Sequence, residues 1–305
     1  MSSSPGLAVP AVPRGARASR RATQLVAAVL GLGAALTLTG AAAAVSPERD
    51  GADRSIDVGG RHVSPDTGPQ GQGPRGAGSK VSRGYDVSYP QCARQLPLNP
   101  AFAIVGVNGG KSFSVNPCLG DELAWGGGAT AELYANTGNP GPTLSSFWPS
   151  GQTSPRFCDA ANPDTADCAY DYGWNSAQHS FQTVQSAYAM LQIAATPAAT
   201  GWWLDVETSN SWRSRKRAAF NVAALQGEID AFRNLGVTRL GIYSNQYQWN
   251  RITGGSAAFA AYPSWLAGGR TLKGARQLCT RPAFSGGATV MAQYFAAGFD
   301  ADLPC

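Results

Sequence analysis

Apolar residues in this chain fall into short runs, each closed by Gly, Pro or Asn. The runs are Tyr85–Tyr89, Ala103–Asn108, Glu132–Asn136, Trp202–Glu207, Leu240–Ser244, Ser264–Ala267, Val290–Tyr294 and Phe299–Leu303. Runs of this length that are apolar throughout predict strands of a parallel sheet covered on both faces. Between several of them the period changes from strand to helix. Asn175–Ala195 carries apolar residues at helical spacing and stops before Pro197. Phe220–Leu235 does the same and ends at Gly236, a residue suited to a helix C-terminus. Strand-then-helix alternation over eight strands predicts an α/β fold, a modified TIM-type (β/α) barrel. The last strands follow one another with little helix between them, so the barrel is expected to be irregular there.

The pattern also divides the chain. Arg14, Arg17, Arg20 and Arg21 precede an apolar stretch from Leu25 to Thr39, which runs into Ala41–Ala44. This three-part order predicts a secretory signal peptide over 1–44. An apolar run of about 15 residues falls short of the roughly 20 that span a bilayer, so no stable membrane anchor is expected. Arg20-Arg21 leaves both the general and the twin-arginine export routes open. Residues 45–83 are rich in Gly, Pro, Ser, Arg and Asp and poor in large apolar side chains, which predicts a disordered linker. The folded domain is then 84–305.

Composition narrows the chemistry. The formal charge of +5 belongs to the leader: without its four arginines the chain stands at +1, and 84–305 holds 14 basic and 14 acidic residues. A nucleic-acid binder would carry a basic footprint, so no nucleic-acid partner is expected. All six cysteines follow the leader, and an even count in an exported chain reads as three disulfides. Of the possible pairings, Cys92–Cys118, Cys158–Cys168 and Cys279–Cys305 are favoured. Zinc is disfavoured because no close C-x2-C pair exists. Of two histidines, His62 lies in the linker and His179 in a predicted helix. A Ser-His-Asp triad would therefore depend on His179, and no G-x-S-x-G turn or phosphate loop occurs. No cofactor or metal is implied, and a monomer is expected.

Carboxylates are better supplied. In such barrels the site lies at the C-terminal ends of the strands. There the sequence places Asp86 in GYDVSYPQC, Asp205 and Glu207 in GWWLDVET, and Asp300 in GFDADL. Alternation puts Trp203, Asp205 and Glu207 on one face of their strand, pointing inward, with Trp202, Leu204 and Val206 on the other. Acids about 6.6 Å apart along a strand, near further carboxylates, predict a raised pKa in one of them. Glycoside hydrolysis uses such a set: a protonated acid for the leaving group, and carboxylates for the positive charge. Asp302 reads as structural or peripheral, and Asp171 as a helix N-cap. Trp203, Tyr243, Trp265 and Tyr294, with Asn108 at the end of the second strand, are the candidate substrate-binding residues, since amphipathic rings suit sugars.

In order along the chain, GYDVSYPQC, WWLDVET, GIYSNQYQW, SWLAG and AQY…GFDADL resemble the signatures of glycoside hydrolase family 25, the Chalaropsis-type lysozymes. The resemblance spans most of 84–305. It implies that Glu207 is the general acid/base and Asp205 its charge-stabilising neighbour, with Asp86 and Asp300 completing the catalytic set. It further implies hydrolysis of the β-1,4 bond after N-acetylmuramic acid in peptidoglycan, with retention assisted by the sugar's own acetamido group. Where the family usually shows a Tyr-His pair after the third strand, this chain has LYANTGNPG, and Pro142–Cys168 is a long insertion. Both mark a divergent, actinobacterial-style branch. A secreted lysozyme-type glycosidase is the first expectation, and a barrel that binds wall glycan without cutting it is the second.

Overall fold

The computed structural model describes residues 82–305. The predicted signal peptide and all but the last two residues of the predicted linker lie outside that range. Arg83, at the linker's end, donates from Nε to the Tyr294 hydroxyl at 2.8 Å.

Eight strands form a closed barrel in sequence order: β1 Gly84–Val87, β2 Ala103–Gly106, β3 Glu132–Asn136, β4 Trp202–Asp205, β5 Leu240–Ser244, β6 Ser264–Leu266, β7 Thr289–Ala296 and β8 Phe299–Pro304. Each coincides with one of the apolar runs. Neighbours from β1 to β7 are parallel, but β8 runs antiparallel to both β7 and β1. The reason is the connection. A parallel return needs a crossover of about a dozen residues or more. Here β7 and β8 are joined by Ala297 and Gly298 alone, both at positive φ (54° and 83°), as a tight hairpin demands.

Five helices connect the strands: α1 Leu119–Trp125, α2 Ala166–Met190, α3 Ala218–Asn234, α4 Gln246–Thr253 and α5 Leu272–Leu278. Helix α2 begins nine residues before the predicted start. Its N-cap is Thr165, whose hydroxyl accepts from Cys168 N at 3.2 Å. Asp171 is therefore not the cap; it is buried inside α2 and accepts from Arg156 N at 3.0 Å. His179 lies within α2 and packs near Phe113.

Two apolar layers result from strand alternation. The outward side chains, among them Val105, Leu133, Trp202, Leu204, Ile242 and Tyr294, pack under the helices. Trp202 lies between Phe181 and Phe232 there. The inward layer is smaller, made by Ile104, Trp203, Tyr243, Trp265 and Met291. All three disulfides have the favoured pairing. Cys279–Cys305 ties the residue after α5 to the last residue of the chain, and Cys158–Cys168 closes the insertion onto the first turn of α2.

Candidate active site

The inward layer ends in acids. Towards the C-terminal end of the barrel Asp86, next to last in β1, faces Asp300 of β8 in the antiparallel register. Asp205 ends β4, beside Asn136 of β3 on one side and Tyr243 of β5 on the other. Glu207 follows two residues later, half-buried. Asp86, Asp205, Glu207 and Asp300 line one cavity of about 240 Å³, together with Tyr134, Tyr243, Trp265 and Gln293. No Lys or Arg is among its lining residues.

Hydrogen bonds from the neighbouring strands and loops fix these groups. Asn136 Nδ2 donates to Asp205 Oδ2, while Oδ1 of Asp205 is buried without a partner. The Asp205 backbone carbonyl accepts from Thr137 Oγ1 at 2.6 Å and Asn210 Nδ2 at 3.2 Å. Glu207 Oε1 accepts from Gln248 Nε2 at 3.2 Å, and Gln248 Oε1 in turn accepts from the backbone N–H and the hydroxyl of Thr208. Across the cavity, Gln293 Nε2 donates to Asp86 Oδ2 at 3.0 Å, and its Oε1 accepts from the Tyr243 hydroxyl at 2.7 Å. Gln293 thus links the aromatic wall to the first aspartate.

Crowding acids away from water raises their proton affinity. Burial pushes Asp205 well above the usual carboxylate range, with the Glu207 charge adding to it. Burial first, then the Asp300 charge, lifts Asp86 to about 7 against the pull of the Gln293 hydrogen bond. Asp300 is raised by burial. Asp205 thus has the raised proton affinity that strand spacing predicts for a member of the D-x-E pair. Asp302 lies one layer deeper than Asp300, fully buried, raised well above its ordinary range by burial and by Asp86. It faces the barrel interior beneath Asp86 rather than standing apart from the site.

Of the predicted substrate-binding residues, Tyr243 and Trp265 line the cavity and three do not. Trp203 points inward but sits near the opposite end of the barrel, where its Nε1 donates to Glu132 Oε2 at 2.7 Å. Tyr294 faces the outer layer, because β7 turns its neighbour Gln293 inward. Asn108 is fully buried. Its Nδ2 donates to Ser114 O at 3.1 Å and its Oδ1 accepts from Asn136 N at 2.9 Å, so it braces the strand ends. Tyr134 and Gln293 line the cavity and were missed. A lone Gln in an otherwise apolar strand, VMAQYFA, was the signal for the second.

Among the described residues one group of Cys, His and acidic side chains lies close enough to share an ion: Cys92, Cys118 and Glu122. Its cysteines are joined as a disulfide and offer no thiolate. The cavity itself brings four carboxylates to one open space.

Residues 172–274 match the family model described as Lysozyme-like protein 1. No curated protein matches the chain. Among solved structures, the chain is similar to the muramidase from Trichobolus zukalii, at 18% identity over 74% of this chain and 94% of that one, with a TM-score of 0.45. It is similar to the family GH25 lysozyme from Aspergillus fumigatus at 14% identity, over the same shares, with a TM-score of 0.48. The bacterial lysozyme from Streptomyces coelicolor gives 15% identity over 74% and 93%, with a TM-score of 0.41. The matched segment, about a third of the chain, runs from within α2 through β4 and the Asp205–Glu207 pair into α5.

Proposed function

We propose that this chain is an exported glycosidase that hydrolyses the β-1,4 bonds of peptidoglycan by carboxylate acid/base catalysis. The observation that carries this reading is the convergence of Asp86, Asp205, Glu207 and Asp300 from three strands on one cation-free cavity. Three disulfides suit an oxidising compartment outside the cell. In this reading Glu207, half-buried in the cavity wall, passes a proton to the glycosidic oxygen as the bond breaks. It then takes one from the attacking water. Asp205, proton-rich through burial, keeps the local negative charge low while the cavity is empty. As positive charge develops on the sugar ring, the aspartates become easier to ionise and oppose it. Tyr243 and Trp265 give the ring a flat apolar wall.

The Glu207→Gln protein is expected to fold and to release reducing ends from purified peptidoglycan roughly 10²–10⁴-fold more slowly. Release at the wild-type rate would sink the assignment. The second reading, a barrel that binds glycan without cutting it, draws on the end of β3. There LYANTGNPG replaces the family's Tyr-His pair and sets Asn136 and Thr137 against Asp205. New reducing ends from the wild-type protein would exclude it.

A further inference from the structure

Beside Glu207 lies a second, larger cavity of about 630 Å³, and its electrostatics are the reverse of the first. It opens between the chain after β4 and helix α4. Trp212 forms part of its wall, held by a hydrogen bond from Nε1 to the Glu207 carbonyl at 2.8 Å. Tyr247 of α4, 71% exposed, stands on the other side. Arg215, Lys216 and Arg251 line it as well, and none of the three makes an ion pair among the described residues. The other two arginines of the same loop are spent: Arg213 and Arg217 both bind Asp164, at 2.9 and 2.6 Å. A chain with no net charge over 84–305 thus keeps three unpaired cations together, next to the mouth of a cavity lined by acids. Such a concentration of like charge is unfavourable until an anion enters it.

We propose that this pocket binds an anionic substituent of the glycan, the carboxylates of its peptide stem, and thereby selects stem-bearing chains. The inference rests on the glycosidase reading for its substrate. A glycan strand laid over Glu207 carries acidic branches beside the sugar ring, and Trp212, which lines the cation pocket, is bonded to the Glu207 carbonyl. The guanidinium groups of Arg215 and Arg251 match a carboxylate in two-point geometry. The exposed ring of Tyr247 offers the branch an amphipathic surface. The acid-lined cavity offers an anion no cation, so the two pockets together orient the strand, with the neutral bond over the carboxylates and the charged branch over the cations.

The test is co-sedimentation of the Glu207→Gln protein with three preparations of peptidoglycan: intact, stripped of stems by an amidase, and freed of phosphodiesters by hydrofluoric acid. The same protein carrying Arg215→Ala, Lys216→Ala and Arg251→Ala is run beside it. Intact and acid-treated walls should bind alike, and stripped glycan about tenfold more weakly. The triple substitution should weaken binding to intact wall to the level its parent shows for stripped glycan. The proposal is overturned if stripping has no effect, if the acid treatment causes the loss, if the substitutions weaken all three alike, or if nothing binds. Reducing-end release by the wild-type protein separates the two ideas. An inert protein with stem-dependent binding removes the glycosidase reading alone, and an active one with stem-independent binding removes the pocket alone.

Discussion

Gln293 decides how Asp86 behaves. Its amide donates to Asp86 Oδ2 and accepts from the Tyr243 hydroxyl, so one side chain opposes the burial that raises Asp86 and satisfies a buried phenol. A Gln293→Leu protein should show Asp86 titrating above its present value of about 7, followed by NMR of the side-chain carboxyl carbon. It should also lose about 1–3 kcal/mol of stability, because the Tyr243 hydroxyl is left without its acceptor. An unmoved titration would show that the hydrogen bond is irrelevant to Asp86. This residue also marks where sequence reading stopped. The acids were legible because each stands in an apolar strand and alternation gives its face. On β7 the face was assigned to Tyr294 in place of Gln293, and one position of register exchanges the inside of a barrel for its outside. Trp203 failed differently. Its face was right, but its depth was not, since parity says nothing about which end of the barrel a side chain reaches.

Strands were the most readable elements because burial on both faces writes them as uninterrupted apolar runs. Helix α2 was read short: its first turns, Ala166–Gly173, mix Cys, Asp, Tyr and Gly without a clear amphipathic stripe, since Cys168–Gly173 is buried throughout. The direction of β8 is carried by the two-residue Ala297–Gly298 turn alone, too short a segment to stand out from an apolar pattern. The same helix shows why a poor helix former can be required. A Cβ on Gly173 would stand 1.9 Å from the Ala224 carbonyl of α3, and one on Gly227 the same distance from the Tyr170 carbonyl of α2. Intrinsic propensity favours Ala over Gly by about 1 kcal/mol in a helix interior. Overpacking costs about 1–3 kcal/mol or more, and here the obstacle is backbone that no rotamer change can clear. Steric cost wins, so Gly173→Ala should lower the denaturant midpoint by separating α2 from α3. A variant as stable as the parent would mean that the helices are free to slide apart.

At the scale of the whole molecule, a set of buried acids among the described residues shares one bias. Burial raises Asp86 and Glu122 to about 7 and Asp171 to about 6, and it raises Asp205, Glu228 and Asp302 well above their ordinary range. Two line the acid-lined cavity and one lies beneath it, while Glu122, Asp171 and Glu228 lie in helices that pack around the barrel. The sign of their linkage to folding is the reverse of that for a salt-bridged acid. In the unfolded chain these groups ionise near 4, whereas in the folded state they hold their protons to about 6, 7 or higher. Between those limits the native state binds more protons than the unfolded one, so stability falls as pH rises. Below about pH 4 both states are protonated and these groups contribute no slope. Thermal unfolding should therefore give its highest midpoint in mildly acidic buffer and a decline of roughly 5–10 °C by pH 8, since about 1 kcal/mol shifts a domain of this size by a few degrees. Replacing Glu122 by Gln, which keeps an amide-sized partner for Asn116 and removes the proton, should flatten part of that slope. A midpoint that rose steadily from pH 4 to pH 8 would mean that these carboxylates are charged and compensated in the folded protein, and that the acid-rich barrel gains its stability from ion pairing rather than despite its buried acids.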